Sequence, residues 1–178
     1  MTPPGPRVVL VGAMGAGKTT VAQLLAAGWG VPDRDTDRDV EAAAGRTISE
    51  IFVDDGERAF RDLEHEAVAA ALREHAGVLA LGGGAVLDPD TRAELKRHRV
   101  VFLNVGLSDA VKRVGLGSAR PLLLGNVRGR IKTLLDERIP VYREVAEITV
   151  DTDGRTPEEV AEEVRAAVES AEAGDRHE

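Results

Sequence analysis

The chain has 178 residues, of which 43% are hydrophobic and 3% aromatic, and a formal net charge of −8 at pH 7. This length and composition predict one compact domain, residues 1–178, with an aliphatic core. The negative charge argues against nucleic-acid binding, and the absence of cysteine excludes disulfide and thiolate chemistry. Without a signal pattern or a membrane-length apolar run, we expect a cytoplasmic protein that does not bind membranes.

The first half of the chain alternates β-branched runs with segments of helical spacing. Residues 7–12 (RVVLVG) predict a buried parallel strand, and the segment 18–30 predicts a helix after it that stops near Gly28. A polar stretch, 33–39 (DRDTDRD), follows at the predicted second strand. A capping box that begins at Thr47 predicts a short helix, and residues 57–77 predict a long amphipathic one.

The second half continues this alternation. Its predicted strands are 78–81, 99–105 and 147–152. Its predicted helices begin at Asp88, Ser108, Val127 and Thr156. Pro140 predicts that the third of these helices breaks or ends there, and the polar tail 171–178 is expected to fray. The alternation indicates an α/β fold of three α/β/α layers around a five-stranded parallel sheet.

Residues 12–20 (GAMGAGKTT) match the phosphate-loop pattern G-x-x-x-x-G-K-[ST], between a predicted strand and a predicted helix. Glycines allow backbone N–H groups to converge on phosphate oxygens, while Lys18 reaches the β- and γ-phosphates and the Thr19 hydroxyl joins a Mg²⁺ shell. An incidental glycine-rich turn is disfavoured because motif and context agree. We predict nucleoside triphosphate binding, with Lys18 also catalytic, by Gly12, Ala13, Met14, Gly15, Ala16, Gly17, Lys18, Thr19 and Thr20.

The fate of the γ-phosphate is a separate question. No N-K-x-D guanine-binding motif occurs, which argues against a GTPase switch. A transport ATPase would need its own signature and a longer chain. The remaining class is a small kinase, which must hold and deprotonate a second substrate.

Further segments resemble those of the shikimate kinase family, part of the nucleoside-monophosphate-kinase-like P-loop proteins. In family order, the matching segments are 12–20, DTD at 35–37, 45–64, LGGGAV at 81–86, RPLL at 120–123, ERIPVYREVA at 137–146 and VDT at 150–152. The resemblance implies transfer of the ATP γ-phosphate to the 3-hydroxyl of shikimate, in aromatic amino acid biosynthesis, with Mg²⁺. We also expect a monomer. It also implies a substrate-binding segment near 35–64 and a lid near 115–127.

The resemblance assigns an acceptor site. Asp37 matches the carboxylate that bonds the acceptor hydroxyl and acts as its base, and Arg61 and Arg138 match the arginines that grip the substrate carboxylate. A guanidinium fork suits a carboxylate ligand. The glycines implied to lie against the substrate ring are Gly82, Gly83 and Gly84.

The resemblance also assigns the nucleotide side. Asp35, with Thr19, is implied to hold Mg²⁺, and Arg120 to close on the transferring phosphate as a catalytic lid arginine. Arg113 and Pro157 fall where the family sandwiches adenine.

Plainer interpretations exist for several of these residues. Arg61 alone would indicate a solvated charge paired with Glu57 or Glu64. Pro157 is also explained as the first residue of a helix. Lys112 is adjacent to Arg113, and either of the two could face the nucleotide. Three glycines alone are typical of a strand-to-helix turn. Arg138 could be one of many exposed arginines on its helix. The four histidines are assigned to the surface.

The stretch 33–39 also admits a calcium loop. That loop needs glycine where Arg38 stands and glutamate where Ala44 stands, so it is disfavoured. On an extended strand end, Asp35 and Asp37 would point to the same side, toward metal and acceptor hydroxyl. The polar pair 33–34 replaces the apolar residues usual in the family, which an edge strand would tolerate.

The resemblance therefore predicts a member of the shikimate kinase family. One alternative is another small-metabolite P-loop kinase, such as a gluconate kinase. The other is a nucleotide-binding regulatory module without phosphotransferase activity.

Overall fold

The computed structural model describes residues 5–117 and 126–178, without the side chains of 115–117. Within these residues the strands are β1 (Val8–Val11), β2 (Asp33–Asp35), β3 (Val78–Ala80), β4 (Val100–Asn104) and β5 (Ile148–Asp151). The helices are α1 (Lys18–Trp29), α2 (Thr36–Ala44), α3 (Ile48–Asp55), α4 (Glu57–Glu74), α5 (Pro89–Leu95), α6 (Leu107–Gly117), α7 (Val127–Val145) and α8 (Pro157–Asp175). A 3₁₀ turn covers Ala85–Leu87.

The strands form one parallel sheet in the order β2–β3–β1–β4–β5. Every residue of the central strand β1 is fully buried. Successive strand side chains point to opposite faces, so both faces must be covered by helices. The predicted α/β/α fold with a five-stranded parallel sheet is confirmed.

The register brings three strand ends to one level. Leu10 on β1 and Asp35 on β2 both pair with Ala80 on β3. The phosphate loop, the Asp35–Asp37 stretch and the three glycines follow these strands, so they meet at the carboxyl edge of the sheet. Ligands of open α/β sheets bind at this edge.

The segment 35–64 has a small core of its own. Val40, Ile51 and Phe60, from α2, α3 and α4, are buried together apart from the main core around the sheet. Thr47 accepts a hydrogen bond from the backbone N–H of Glu50, as the capping box predicts. This cluster holds the three helices together beside the strand ends.

The edge strand β2 explains the polar pair Asp33–Arg34. Asp33 is exposed, while Arg34 donates to Asp39 at 2.7 Å and to Glu74 at 3.3 Å. Because β2 has a neighbour on one side only, these charges stay at the surface. The strand therefore has the edge position at which such polar residues are tolerated.

Helix α7 runs unbroken through Pro140, so the predicted break is wrong. Pro140 is exposed, and its missing N–H frees the carbonyl of Asp136, which is also exposed and can bond water. The buried residues Leu135, Tyr142 and Val145 keep the opposite face packed.

Two further differences concern the tail and one histidine. Fraying was expected from residue 171, but helix α8 continues to Asp175. The helix is held there because Glu172 pairs with Arg7 and Asp175 pairs with Arg99. His75 is buried rather than at the surface, with Nε2 3.0 Å from the carbonyl oxygen of Val78.

Among the described helices, none combines the length and apolar character needed to span a membrane.

Candidate active site

The phosphate loop wraps around the side chain of Lys18. Gly15 and Gly17 have φ angles of 85° and 88°, which favour glycine. The Lys18 ammonium donates to the carbonyl oxygens of Gly12 (2.6 Å) and Ala13 (3.1 Å). Gly17 caps the N-terminus of α1, where unpaired N–H groups attract anions.

A cleft of about 580 Å³ opens beside this loop. It brings together residues that are far apart in sequence. Its predicted site residues are Met14, Gly15, Gly17, Lys18, Thr19, Thr20, Asp35, Asp37, Arg61, Gly83, Gly84 and Arg138.

A second cavity of about 210 Å³ adjoins the cleft. Arg113 and Pro157, the two residues assigned to adenine, both line it. Gly17 and Thr20 line the cavity and the cleft alike. The two spaces therefore meet at the N-terminus of α1, as a nucleotide with a base and a phosphate chain would require.

Arg113 is braced against the phosphate loop. Its guanidinium donates to the carbonyl oxygen of Gly15 at 2.8 Å and to that of buried Thr152 at 3.2 Å. Lys112 is exposed and does not line the cavity. The geometry favours Arg113 over Lys112 as the residue beside a base.

Asp35 joins the phosphate loop to α2. It is the N-cap of α2, accepting from the backbone N–H of Asp37 at 2.9 Å, and its second oxygen accepts from the Thr19 hydroxyl at 2.9 Å. Asp37 lies in the first helical turn, so the prediction that it extends the strand is wrong. Both carboxylates nevertheless line the cleft.

The Thr19 hydroxyl and the Asp35 carboxylate offer oxygen atoms, the ligand type that Mg²⁺ prefers. Within residues 5–117 and 126–178, no three His, Cys, Asp or Glu side chains form a cluster that could hold a metal. Mg²⁺ in kinases relies largely on water and substrate phosphates, so one hydroxyl and one carboxylate suit it. Thr19 and Asp35 therefore fit the metal role.

Burial shifts the titration of two groups in the cleft. It raises the pKa of Asp37 to about 6, and the nearby carboxylates of Asp35 and Glu64 add to this while Lys18 opposes it. Burial lowers the pKa of Lys18 to about 8, against the opposing attraction of Asp37 and Asp35. At neutral pH Asp37 is mainly a carboxylate that accepts a proton readily.

Arg61 satisfies both interpretations of its role. It pairs with Glu64 at 2.7 Å and with Glu57 at 3.6 Å, as a helix-surface charge would, and it also lines the cleft. Glu64 is 3% exposed, and burial raises its pKa although Arg61 acts against this. Sequence reasoning missed Glu64 as a site residue; the available signal was its spacing of three residues from Arg61.

The three glycines approach the charged residues of the cleft. Their φ angles are not positive, so backbone conformation does not require glycine there. An added Cβ would crowd its neighbours at Gly82 and Gly84 but would make only ordinary contacts at Gly83. The groups that a Cβ would meet are Asp37 Oδ1 at Gly82 (2.5 Å), Arg138 Nη1 at Gly83 (3.5 Å) and the Arg61 guanidinium at Gly84. Gly82 does not line the cleft, but it borders it through this contact.

The lid assignment is not addressed by these contacts. Arg120, together with residues 118–125 of the expected lid, lies outside the described residues.

Sequence reasoning also missed Arg155, which lines the cavity beside Arg113 and Pro157.

Comparison with known proteins gives one family. The family profile described as shikimate kinase matches residues 14–169. A shikimate kinase of Thermobifida fusca is 58% identical over 170 residues, covering 96% of this chain and 98% of the relative. One of Salinispora arenicola is 63% identical over 161 residues, covering 90% and 96%.

Solved structures agree. A shikimate kinase from Acinetobacter baumannii in complex with shikimate superposes with a TM-score of 0.87 at 36% identity, over 94% of each chain. A gluconokinase from Sinorhizobium meliloti reaches a TM-score of 0.56 at 19% identity, over 96% of this chain and 95% of its own. The second likeness shows a shared fold only.

Proposed function

The chain belongs to the shikimate kinase family, and we propose how its side chains carry out that family's reaction. The enzyme transfers the γ-phosphate of ATP to the 3-hydroxyl of shikimate, giving ADP and shikimate 3-phosphate. The observation that carries the proposal is the cleft, which joins the phosphate-loop Lys18 to the half-buried carboxylate of Asp37 and to two arginines, Arg61 and Arg138.

On the acceptor side, Arg61 and Arg138 bind the shikimate carboxylate. Glu64 holds Arg61 by a charge-assisted hydrogen bond, which limits the guanidinium to few orientations. Asp37 accepts a hydrogen bond from the 3-hydroxyl. Gly82–Gly84 leave room for the ring because they carry no side chains.

On the nucleotide side, the phosphates lie along 12–20 and the base enters the cavity beside Arg113 and Pro157. Thr19 and Asp35 would hold Mg²⁺, which supplies positive charge to the phosphate oxygens when bound. Lys18 stabilises the same phosphates. We assign Arg120 to the transferring phosphate, on the family resemblance alone.

In the chemical step, the 3-hydroxyl oxygen forms a bond to the γ-phosphorus. The bond from that phosphorus to the β,γ-bridging oxygen breaks, and the hydroxyl proton passes to Asp37. Such a reaction depends mainly on positioning and charge stabilisation. We further propose a cytoplasmic monomer, as the sequence predicts; light scattering after size-exclusion chromatography tests the monomer.

ADP release by the purified protein, with ATP, Mg²⁺ and a panel of acceptors, tests the proposal. We expect stimulation by shikimate and none by gluconate. Stimulation by gluconate alone would favour the other small-metabolite kinase. Slow ATP turnover that no acceptor changes would favour the regulatory module.

A further inference from the structure

Two buried hydroxyl groups hold the Gly82–Gly84 loop from below. The Thr36 side chain is 0% exposed, and its oxygen accepts from the backbone N–H of Gly82 at 3.3 Å. The Tyr142 side chain is also 0% exposed, and its hydroxyl donates to the carbonyl oxygen of Gly83 at 2.5 Å. Neither side chain lines the cleft, so neither is placed to contact substrate.

Each hydroxyl belongs to an element that also carries a residue of the cleft. Thr36 stands between Asp35 and Asp37, at the start of α2. Tyr142 stands one helical turn after Arg138 on α7. The two hydrogen bonds therefore connect the loop to the helix of the base on one side and to the helix of a carboxylate-binding arginine on the other.

The Tyr142 bond also sets the direction of a peptide group. No peptide bond among the described residues is cis. In a trans peptide the C=O and N–H groups point in opposite directions. Since the Gly83 carbonyl faces Tyr142, the Gly84 N–H faces away from Tyr142, and both glycines line the cleft.

The packing leaves the Tyr142 ring little freedom. Its centroid lies 5.0 Å from that of buried Phe102 on β4. Burial raises the pKa of the Tyr142 phenol, so it remains a donor at neutral pH. A buried ring in a fixed position makes the hydroxyl a rigid support for the loop.

We propose that Thr36 and Tyr142 are positioning residues, which hold Gly82–Gly84 at the spacing that the acceptor site needs. Without them the loop shifts relative to Asp37, Arg61 and Arg138, which it approaches closely. This inference rests on the proposed acceptor site. Its expected effect is mainly on shikimate, because neither residue lines the cavity assigned to the nucleotide base.

The test uses variants that lack the hydroxyl groups, Thr36→Val, in which a methyl group replaces the hydroxyl, and Tyr142→Phe, with Thr36→Ser as the conservative variant that restores one. We expect each of the first two to raise the shikimate KM about 3- to 10-fold, the effect of one hydrogen bond, with the ATP KM changed less than about 2-fold. Thr36→Ser should return the shikimate KM to within about 2-fold of the unaltered enzyme.

Thr152→Val is the matched control. Thr152 is another buried threonine, 1% exposed, but its hydroxyl donates to the Asn104 carbonyl beside the nucleotide cavity. We expect it to change the ATP KM and not the shikimate KM. Thermal unfolding of each variant reports the stability loss separately.

The outcomes separate the two proposals. If the unaltered enzyme is stimulated by shikimate but Thr36→Val and Tyr142→Phe leave its KM unchanged, the positioning role is wrong and the function stands. The role is equally wrong if Thr152→Val raises the shikimate KM as much, or if Thr36→Ser fails to restore it. If shikimate does not stimulate the unaltered enzyme, the proposed function itself fails.

Discussion

The guanidinium of Arg61 lies 2.7 Å from the carboxylate of Glu64, one turn along α4, and Glu64 is almost completely buried. A buried carboxylate that is already paired holds the arginine at the wall of the cleft. The remaining N–H groups of the guanidinium can then bind a ligand.

Replacing Arg61 should therefore weaken shikimate binding selectively. A charge-assisted hydrogen bond contributes about 1.5–3 kcal/mol, so Arg61→Ala should raise the shikimate KM about 10- to 150-fold with little change in the ATP KM. Steady-state kinetics measure both. Arg58→Ala, an exposed arginine on the same helix, is the control and should change neither. An equal effect of the two substitutions would contradict the assignment.

Replacing Asp37 should remove the acceptor of the hydroxyl proton. Asp37→Asn should lower kcat about 10²-fold or more, since positioned general bases contribute at this level. Nucleotide binding, followed by calorimetry, should survive. Asp62→Asn alters an exposed aspartate on α4 and should keep kcat. Near-normal kcat in Asp37→Asn would exclude Asp37 as the base.

The raised pKa of Asp37 predicts the pH dependence of activity. The base must be deprotonated, so kcat/KM for shikimate should rise as the pH passes through about 6. With an ordinary aspartate as the base, the rise would instead lie near pH 3.8. A rate profile whose acidic limb lies near pH 4 would contradict this.

The same shift predicts a dependence of stability. The folded protein holds the Asp37 proton more tightly than the unfolded chain, so this stabilisation is present below pH 4 and lost as pH rises through 6. Asp37→Asn carries no charge and should raise Tm at pH 7.5 by about 2–4 °C. Thermal scans at pH 4 and 7.5 check this, because the gain should vanish at the lower pH.

The glycine loop predicts two different kinetic defects. A methyl group at Gly82 meets the Asp37 carboxylate, so Gly82→Ala should lower kcat about 10-fold or more. A methyl group at Gly84 meets the Arg61 guanidinium, so Gly84→Ala should mainly raise the shikimate KM, by about 10-fold. Gly174→Ala, with open space around the added methyl, is the control. Identical kinetic defects in both loop variants would argue against these separate contacts.

The bond between Thr19 and Asp35 predicts the metal requirement. Asp35→Asn should raise the Mg²⁺ concentration for half-maximal activity about 10-fold, as loss of a supporting carboxylate does at other metal sites. Asp33→Asn alters an exposed aspartate of the same strand and should leave the requirement unchanged. Mg²⁺ titrations at saturating ATP compare them.

The sequence by itself determined the fold and the phosphate loop. Both depend on local patterns: β-branched strands alternating with amphipathic helices, and glycines at fixed spacing before Lys18. The prediction that the helix breaks at Pro140 was wrong because a local sequence rule does not tell which side of a helix faces water. Exposure of that face lets α7 continue.

Only the tertiary structure decided which distant residues share a space. The register of β1, β2 and β3 brings Lys18, Asp37 and the glycines to one edge, and α4 and α7 add their arginines. Thr36 and Tyr142 were not recognised in the sequence because their roles depend on burial and on partners far along the chain. Glu64 lies only three residues from its partner Arg61, but its burial is decided by the packing of the helices. Hydrogen bonds between such partners exist only after the helices and the sheet have packed.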